Sequence, residues 1–280
     1  LVLAARAEQG NGRNEAAQSH IEEARTLRDD IAVRKMLVEN LLQQDKLDAA
    51  REQIEALPDA ERTAPAAQLL LGRIAMAQER YSEAESLFQP LFDAQGDGVS
   101  LAYLTGSLWA QGQREEAIAH LESWLADNPE NVELRNQLAA RYLTMGNEDA
   151  ARKEYRRLVE AVPNSPMVLN NLAWLERERN SDEALEYVKR ALEIAPDSIQ
   201  IIDTYAMVEL ARGNHEAALE FSARALDAAP EATALQLNRA VVLVGAGRTD
   251  EARELLDTLL SGPASPQHEE ARELLATLDG

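Results

Sequence analysis

Apolar residues recur along the chain at helical spacing, and the whole pattern repeats about every 34 residues. Each repeat contains an acidic or small residue followed by alanine, as in Asp182-Glu-Ala184 and Asp250-Glu-Ala252. The last alanine of this signal falls 33 or 34 residues after the previous one, at Ala17, Ala50, Ala84, Ala117, Ala151, Ala184, Ala218 and Ala252. Eight evenly spaced units predict a repeat protein built from helices.

Turn residues follow the same period. Prolines stand about twelve residues after four of the alanines, at Pro129, Pro163, Pro196 and Pro230. Glycines stand five residues before five of them, at Gly12, Gly112, Gly146, Gly213 and Gly247. Because proline cannot continue a helix and glycine relaxes a tight turn, each unit is predicted as helix A, glycine turn, helix B and proline turn.

Three units depart from this pattern. The second and third carry Asp45 and Glu79 in place of the turn glycine, and the second has a displaced Pro58. The unit that begins at residue 166 has lost one residue between its helices, within Glu176-Arg-Glu-Arg-Asn180. These departures predict local irregularity without a change of fold.

The predicted solenoid spans residues 1–264 and ends in a capping helix over 265–280, which has one apolar stripe and one charged face, as a terminal cap requires. The predicted units are 1–30, 31–64, 65–97, 98–131, 132–165, 166–198, 199–232 and 233–264.

Several segments carry a family signature. Leu71-Gly72 stands in a helix A, Ala151, Tyr155 and Leu158 follow a helix B spacing, and Asp182 to Pro196 approaches a consensus helix B. In these features the chain resembles the tetratricopeptide repeat over nearly its whole length. The resemblance implies an all-α fold, a right-handed superhelical α-solenoid of about eight helix–turn–helix units, with small residues where helices approach closely.

Composition excludes several kinds of chemistry. The chain has no cysteine, so thiolate metal sites and cysteine nucleophiles are excluded, and its four histidines form no metal-binding pair. A formal net charge of −21 disfavours nucleic acids and anionic membranes. No apolar stretch is long enough to span a bilayer. We therefore predict no catalytic residue, no metal, no cofactor and no enzymatic activity.

The A helices are expected to line the concave groove of such a solenoid. The predicted partner-binding residues are Trp109, Asn136, Met167, Asn170, Trp174, Arg177, Gln200, Asp203 and Met207. An asparagine amide can bond a peptide backbone as donor and acceptor, tryptophan and methionine offer adaptable apolar area, and Arg177 could pair a carboxylate. The alternative is that Trp174 and Met207 simply pack between helices.

Two more specific family comparisons bear on the partner. Some tetratricopeptide domains hold chaperone C-termini through a clamp of Lys, Asn and Arg side chains. Here Asn136 and Asn170 match the asparagines, but Gln200 and Asp203 replace the cations, so a co-chaperone role is not expected. The run Val168-Leu-Asn-Asn-Leu-Ala-Trp174 is similar to bacterial tetratricopeptide lipoproteins of exopolysaccharide and exosortase systems.

These comparisons predict a protein-interaction scaffold, in exopolysaccharide production, export or protein sorting. Because the chain begins with Leu1 inside a helical pattern, it reads as part of a longer or processed protein. The lipoprotein resemblance favours a periplasmic location over a cytoplasmic one. The alternatives are an accessory region of a larger enzyme and a glycan-binding module that uses Trp109, Trp174 and Tyr142 as stacking surfaces.

Overall fold

Helices make up all the regular secondary structure of residues 1–279, the part of the chain described by the computed structural model. Over that range they number eighteen, which confirms the predicted all-α architecture. The chain divides into two compact units, Leu1–Leu134 (unit 1) and Arg135–Gly280 (unit 2). None of the helices found in residues 1–279 is long and apolar enough to cross a bilayer.

Unit 1 is a succession of antiparallel helix pairs in which each pair packs on the next. The pairs are α1 with α2, α3 with α4, α6 with α7 and α8 with α9, and the short α5 lies between the second and third pairs. The helices are α1 (Val2–Gly10), α2 (Asn14–Leu27), α3 (Ile31–Gln43), α4 (Leu47–Glu55), α5 (Asp59–Arg62), α6 (Pro65–Ala77), α7 (Tyr81–Gln95), α8 (Gly98–Ala110) and α9 (Arg114–Asp127).

Unit 2 continues the same arrangement. The helix pairs α12 with α13, α14 with α15 and α16 with α17 stack in order, and α18 packs on α17 at the end. The helices are α10 (Val132–Thr144), α11 (Glu148–Ala161), α12 (Pro166–Glu176), α13 (Ser181–Ile194), α14 (Ile199–Ala211), α15 (His215–Ala228), α16 (Thr233–Gly245), α17 (Thr249–Ser261) and α18 (His268–Asp279).

The periodic alanines lie where helices approach most closely. All eight are completely inaccessible to solvent. In unit 2, for example, Ala184 of α13 packs in one core with Leu169 and Ala173 of α12 and Val208 of α14. A methyl group lets the helix backbones come together, and the neighbouring Leu, Ile and Val side chains fill the remaining space.

Seven of the eight turns within helix pairs in residues 1–279 use one left-handed residue. Asp45 and Glu79, both at φ 58°, occupy it in the second and third units, so the irregularity predicted there is wrong. A residue with a Cβ costs roughly 1–2 kcal/mol more than glycine in this conformation, yet the surrounding packing holds the same turn. Glycine supplies the left-handed residue elsewhere, at Gly12, Gly112, Gly146, Gly213 and Gly247.

The predicted irregularity is present in the two other places. Helix α12 ends at Glu176, its eleventh residue, and Arg177 remains in the right-handed helical region at φ −51°. The backbone N–H of Asn180 then donates to the carbonyl of Glu176 at 2.7 Å, which closes a shorter turn. After Pro58 the chain forms the additional helix α5.

We predict that two glycine substitutions in unit 1 have opposite effects. A Cβ added to Gly72 would lie 2.3 Å from a ring carbon of the buried Phe88, so Gly72→Ala should lower the free energy of unfolding by about 1–3 kcal/mol. A Cβ on Gly106 would meet no atom nearer than the Met76 methyl at 4.0 Å, so Gly106→Ala should raise it by about 0.5–1 kcal/mol. Urea denaturation followed by circular dichroism measures both, and shifts in the same direction would contradict the close approach at Gly72.

Candidate functional site

The candidate site is the helix-A face of unit 2, defined as the fifth, ninth and twelfth positions of α10 and the second, fifth, ninth and twelfth positions of α12, α14 and α16, each counted from the first residue of its helix. The second position is exposed in each of the latter three helices, and most of the others are half-buried. Met167 is 53% exposed, and the exposed Gln200 accepts a hydrogen bond from the Ser198 hydroxyl at 3.3 Å. Eight of the nine predicted residues lie on this face, whereas Trp109 belongs to unit 1.

Asn136 and Asn170 occupy the fifth position of α10 and α12. In each, the amide oxygen Oδ1 is buried and has no hydrogen-bond partner among the described residues. An unmade hydrogen bond at a buried polar atom costs roughly 1–3 kcal/mol. The adjacent Asn171 differs, because its amide donates to the Tyr155 hydroxyl at 2.9 Å. The two amide oxygens thus occupy equivalent positions of the helix-A face, although the Oε1 of Gln137, next to Asn136, also has no hydrogen-bond partner among the described residues.

Asp203 occupies the fifth position of α14, so it continues the row of Asn136 and Asn170. Its Oδ2 accepts a hydrogen bond from the Asn238 amide of α16 at 2.7 Å. Burial raises the pKa of Asp203 from 3.8 to about 6, and the hydrogen bond from Asn238 opposes this shift. A single neutral donor from the chain therefore stabilises the carboxylate, whose burial disfavours the charged form.

Trp174 and Arg177 form a stacked pair on the same face. The Arg177 guanidinium carbon lies 3.8 Å from the centre of the Trp174 ring, and its Nη1 donates to the Trp174 carbonyl at 2.5 Å. Its Nε lies 3.6 Å from Glu178, and burial lowers the pKa of Arg177. The guanidinium expected to pair a partner carboxylate is already engaged within the chain. Trp174 and Met207 remain half-buried, so both still contribute apolar area.

The aromatic residues considered as glycan-stacking surfaces are not a common platform. Tyr142 is buried, so the expectation that it offers a ring face to a sugar is wrong. Trp109 packs against the core around Phe88 in unit 1, and the Arg114 guanidinium lies 5.5 Å from its ring. Arg177 covers one face of Trp174.

Sequence reasoning missed several residues of the site. Asn238, the donor to Asp203, stands one residue beyond the expected register, and the signal for it was its spacing of 35 residues from Asp203. Half-buried aliphatic side chains at the ninth and twelfth positions were also missed, and they are Leu143, Leu210, Val241 and Val244. Their signal was the apolar end of each helix A.

Comparison with known families matches the repeat directly. One sequence model of the tetratricopeptide repeat matches residues 108–175 and 209–278, and a second matches residues 35–96. Together they account for more than two thirds of the chain. The chain belongs to the tetratricopeptide repeat family. Members of this family are generally non-catalytic scaffolds that bind protein partners.

Solved structures share the tetratricopeptide fold at low sequence identity. A tetratricopeptide repeat protein from Parabacteroides merdae is 16% identical with a TM-score of 0.65, over 76% of this chain and 90% of that one. A chain of the APC/C Cut9–Hcn1 hetero-tetramer is 14% identical with a TM-score of 0.64, over 98% of this chain and 54% of that one.

The human IFIT1 dimer with PPP-AAAA is 18% identical with a TM-score of 0.53, over 91% of this chain and 66% of that one. This chain therefore spans about half of the matched Cut9–Hcn1 chain and about two thirds of the IFIT1 chain. Likeness at these identities establishes the fold alone. The search of curated proteins finds no match.

We predict opposite stability effects for one substitution at two adjacent asparagines of this tetratricopeptide chain. Asn170→Leu removes an unpartnered buried amide and should raise the free energy of unfolding by about 1 kcal/mol. Asn171→Leu removes the donor to the buried Tyr155 hydroxyl and should lower it by about 1–2 kcal/mol. The gain in helix propensity is common to both, so a difference near zero in urea denaturation would show that Asn170 is satisfied.

A second stability prediction concerns pH. Because the folded-state pKa of Asp203 is raised, ionisation of its carboxyl destabilises the fold above about pH 6, and this penalty disappears as the pH falls towards 4. Asp203→Asn should therefore raise the free energy of unfolding by roughly 1–3 kcal/mol at pH 7 and by almost nothing near pH 4. Urea denaturation at both pH values measures this, with the exposed Asp257→Asn as control. An equal gain at both pH values would contradict the assignment.

Proposed function

We propose that this chain is a non-catalytic scaffold that binds an extended peptide, or an extended segment of a partner protein, on the helix-A face of unit 2. The observation that supports this most directly is the pair of buried amide oxygens of Asn136 and Asn170, which occupy equivalent positions and have no hydrogen-bond partner among the described residues. Membership of the tetratricopeptide repeat family supports the general role of binding a protein partner.

The chemistry of the asparagines suits a peptide backbone. An extended peptide presents N–H donors and C=O acceptors, and one asparagine amide can satisfy both. Rotation about χ2 is soft for asparagine, so the amide can turn its oxygen out of the buried position when a donor arrives. The hydrogen bond that the free protein lacks is then formed in the complex, which favours binding.

Apolar area on the same face suits the side chains of the peptide. Trp174, Met207 and Leu210 stand at the ninth and twelfth positions and are half-buried. Methionine adapts to different shapes, and the Trp174 ring, fixed by Arg177, is a rigid surface. A row of backbone-binding amides beside an apolar row favours a protein ligand over a small polar solute.

The cellular context is proposed from sequence resemblance alone. Similarity of Val168–Trp174 to bacterial tetratricopeptide lipoproteins supports a role beside exopolysaccharide production, export or protein sorting, in the periplasm. Cell fractionation with antibodies against this chain would test the location. An accessory role to an enzyme is the alternative, which partner identification after native purification would distinguish.

We expect the double variant Asn136→Leu/Asn170→Leu to bind peptides about 10- to 100-fold more weakly while remaining folded. Each substitution removes one amide that would pair the peptide backbone, at about 1 kcal/mol or more per lost hydrogen bond. The measurement selects binders to the 280-residue chain from a displayed random decapeptide library and determines their Kd by fluorescence anisotropy.

Asn171→Leu is the matched control for this experiment. It makes the same change one residue away, where the amide is not part of the helix-A face and donates a hydrogen bond to the Tyr155 hydroxyl. It should lose stability and keep peptide affinity, whereas the double variant should keep stability and lose affinity. If no library peptide binds, or if the double variant binds as tightly as the original chain, the proposed face is wrong.

A further inference from the structure

Buried carboxylates in unit 2 follow a consistent rule. Among its described residues, five carboxylate side chains are not exposed, and four of these are ion-paired with arginine. Glu154 lies 2.9 Å from Arg157, Glu176 lies 2.8 Å from Arg156, Glu183 lies 3.0 Å from Arg156, and Glu209 lies 3.0 Å from Arg212. In each of these four cases, an arginine of the chain neutralises the carboxylate that is shielded from water.

Asp203 is the fifth of these carboxylates and the exception. No lysine, arginine or histidine of the described chain lies within ion-pair distance of it, and its hydrogen-bond partner is the neutral amide of Asn238. Its Oδ1 accepts no hydrogen bond from the described residues. Because an anion out of water without a cation is costly, an isolated carboxylate at this depth is unfavourable in the free protein.

The position of Asp203 relates this unpaired charge to binding. It occupies the fifth position of α14, as Asn170 does on the neighbouring α12, and Met207 follows one turn later on the same helix. The four arginine-paired glutamates are held by contacts internal to the chain, whereas Asp203 lies on the proposed binding face, half-buried and still reachable.

We propose that Asp203 receives the cationic side chain of a lysine or arginine in the bound peptide. The inference rests on the proposed function and specifies its partner as a segment with a basic residue beside backbone bound by Asn136 and Asn170. The incoming cation forms an ion pair with Asp203, as the arginines of the chain do with the other four carboxylates. Such charge-assisted hydrogen bonds are strong where water is partly excluded.

The charge of the whole chain agrees with a basic partner. A formal net charge of −21 attracts cationic segments and repels acidic ones, which raises the rate of encounter. A metal ion is a poorer occupant, because the described residues contain no group of three or more side chains suited to hold one. Asn238 fixes the carboxylate orientation, so specificity comes from geometry as well as from charge.

The test uses decapeptide libraries that differ at one fixed central position, which is lysine, arginine, norleucine or glutamate. Norleucine has an aliphatic stem similar to lysine but carries no charge. The 280-residue chain should bind the lysine and arginine libraries about tenfold more tightly than the norleucine library, and glutamate should bind most weakly. In Asp203→Asn the preference for lysine over norleucine should fall to less than about twofold.

Asp257→Asn is the control for net charge, because it removes one negative charge from an exposed position on α17. It should retain the tenfold preference. Circular dichroism confirms that both variants are folded. The inference is overturned if norleucine binds as well as lysine, or if Asp203→Asn keeps the preference while peptides still bind. If no library binds at all, the proposed function itself fails and the basic partner fails with it.

Discussion

The close approach of paired helices at eight buried alanines is the constraint on which the rest of the structure depends. All eight are completely buried, so a larger side chain would have to displace its packed neighbours. Since a single helix pair cannot cover its own apolar face, each pair requires the next one. Replacing any of these alanines would separate two helices and also disturb the neighbouring stack, which explains why the spacing of 33 or 34 residues tolerates so little variation.

Constraint at the alanines of helix B leaves positions of helix A open to variation. Helices α10, α12 and α14 each have a buried alanine at the eighth position, and these are Ala139, Ala173 and Ala206. Three residues later α10 has the buried Tyr142, whereas α12 and α14 have the buried Glu176 and Glu209. The glutamates are compatible with burial because Arg156 and Arg212 supply cations at 2.8 and 3.0 Å. The repeat therefore fixes the position and depth of a side chain but not its chemistry, provided that its charge is balanced locally.

The sequence was most informative where one residue determines the backbone. Alanine spacing and turn glycines predicted the helix pairs, because both act locally. The turns at Asp45 and Glu79 could not be predicted in this way, since packing of the flanking helices holds their left-handed backbone. At the site, register placed Asn136, Asn170 and Asp203 on one face. It could not reveal that Arg177 stacks on Trp174 or that Asn238 reaches Asp203, because those contacts depend on rotamers and on the neighbouring helix.

Three unfavourable groups in unit 2 share one position of the repeat. Asn136 and Asn170, with unpartnered amides, and Asp203, with an unpaired carboxylate, hold the same position on three A helices. Elsewhere in the unit, buried glutamates are neutralised and Asn171 is satisfied by Tyr155. Other buried polar atoms of the unit, such as Gln137 Oε1 and Arg152 Nε, also have no hydrogen-bond partner among the described residues, but they do not share this position. A ligand on the face would supply the hydrogen bonds and the charge that the free protein lacks at Asn136, Asn170 and Asp203. The shared position of these three residues is therefore a stronger argument for a site than any one of them.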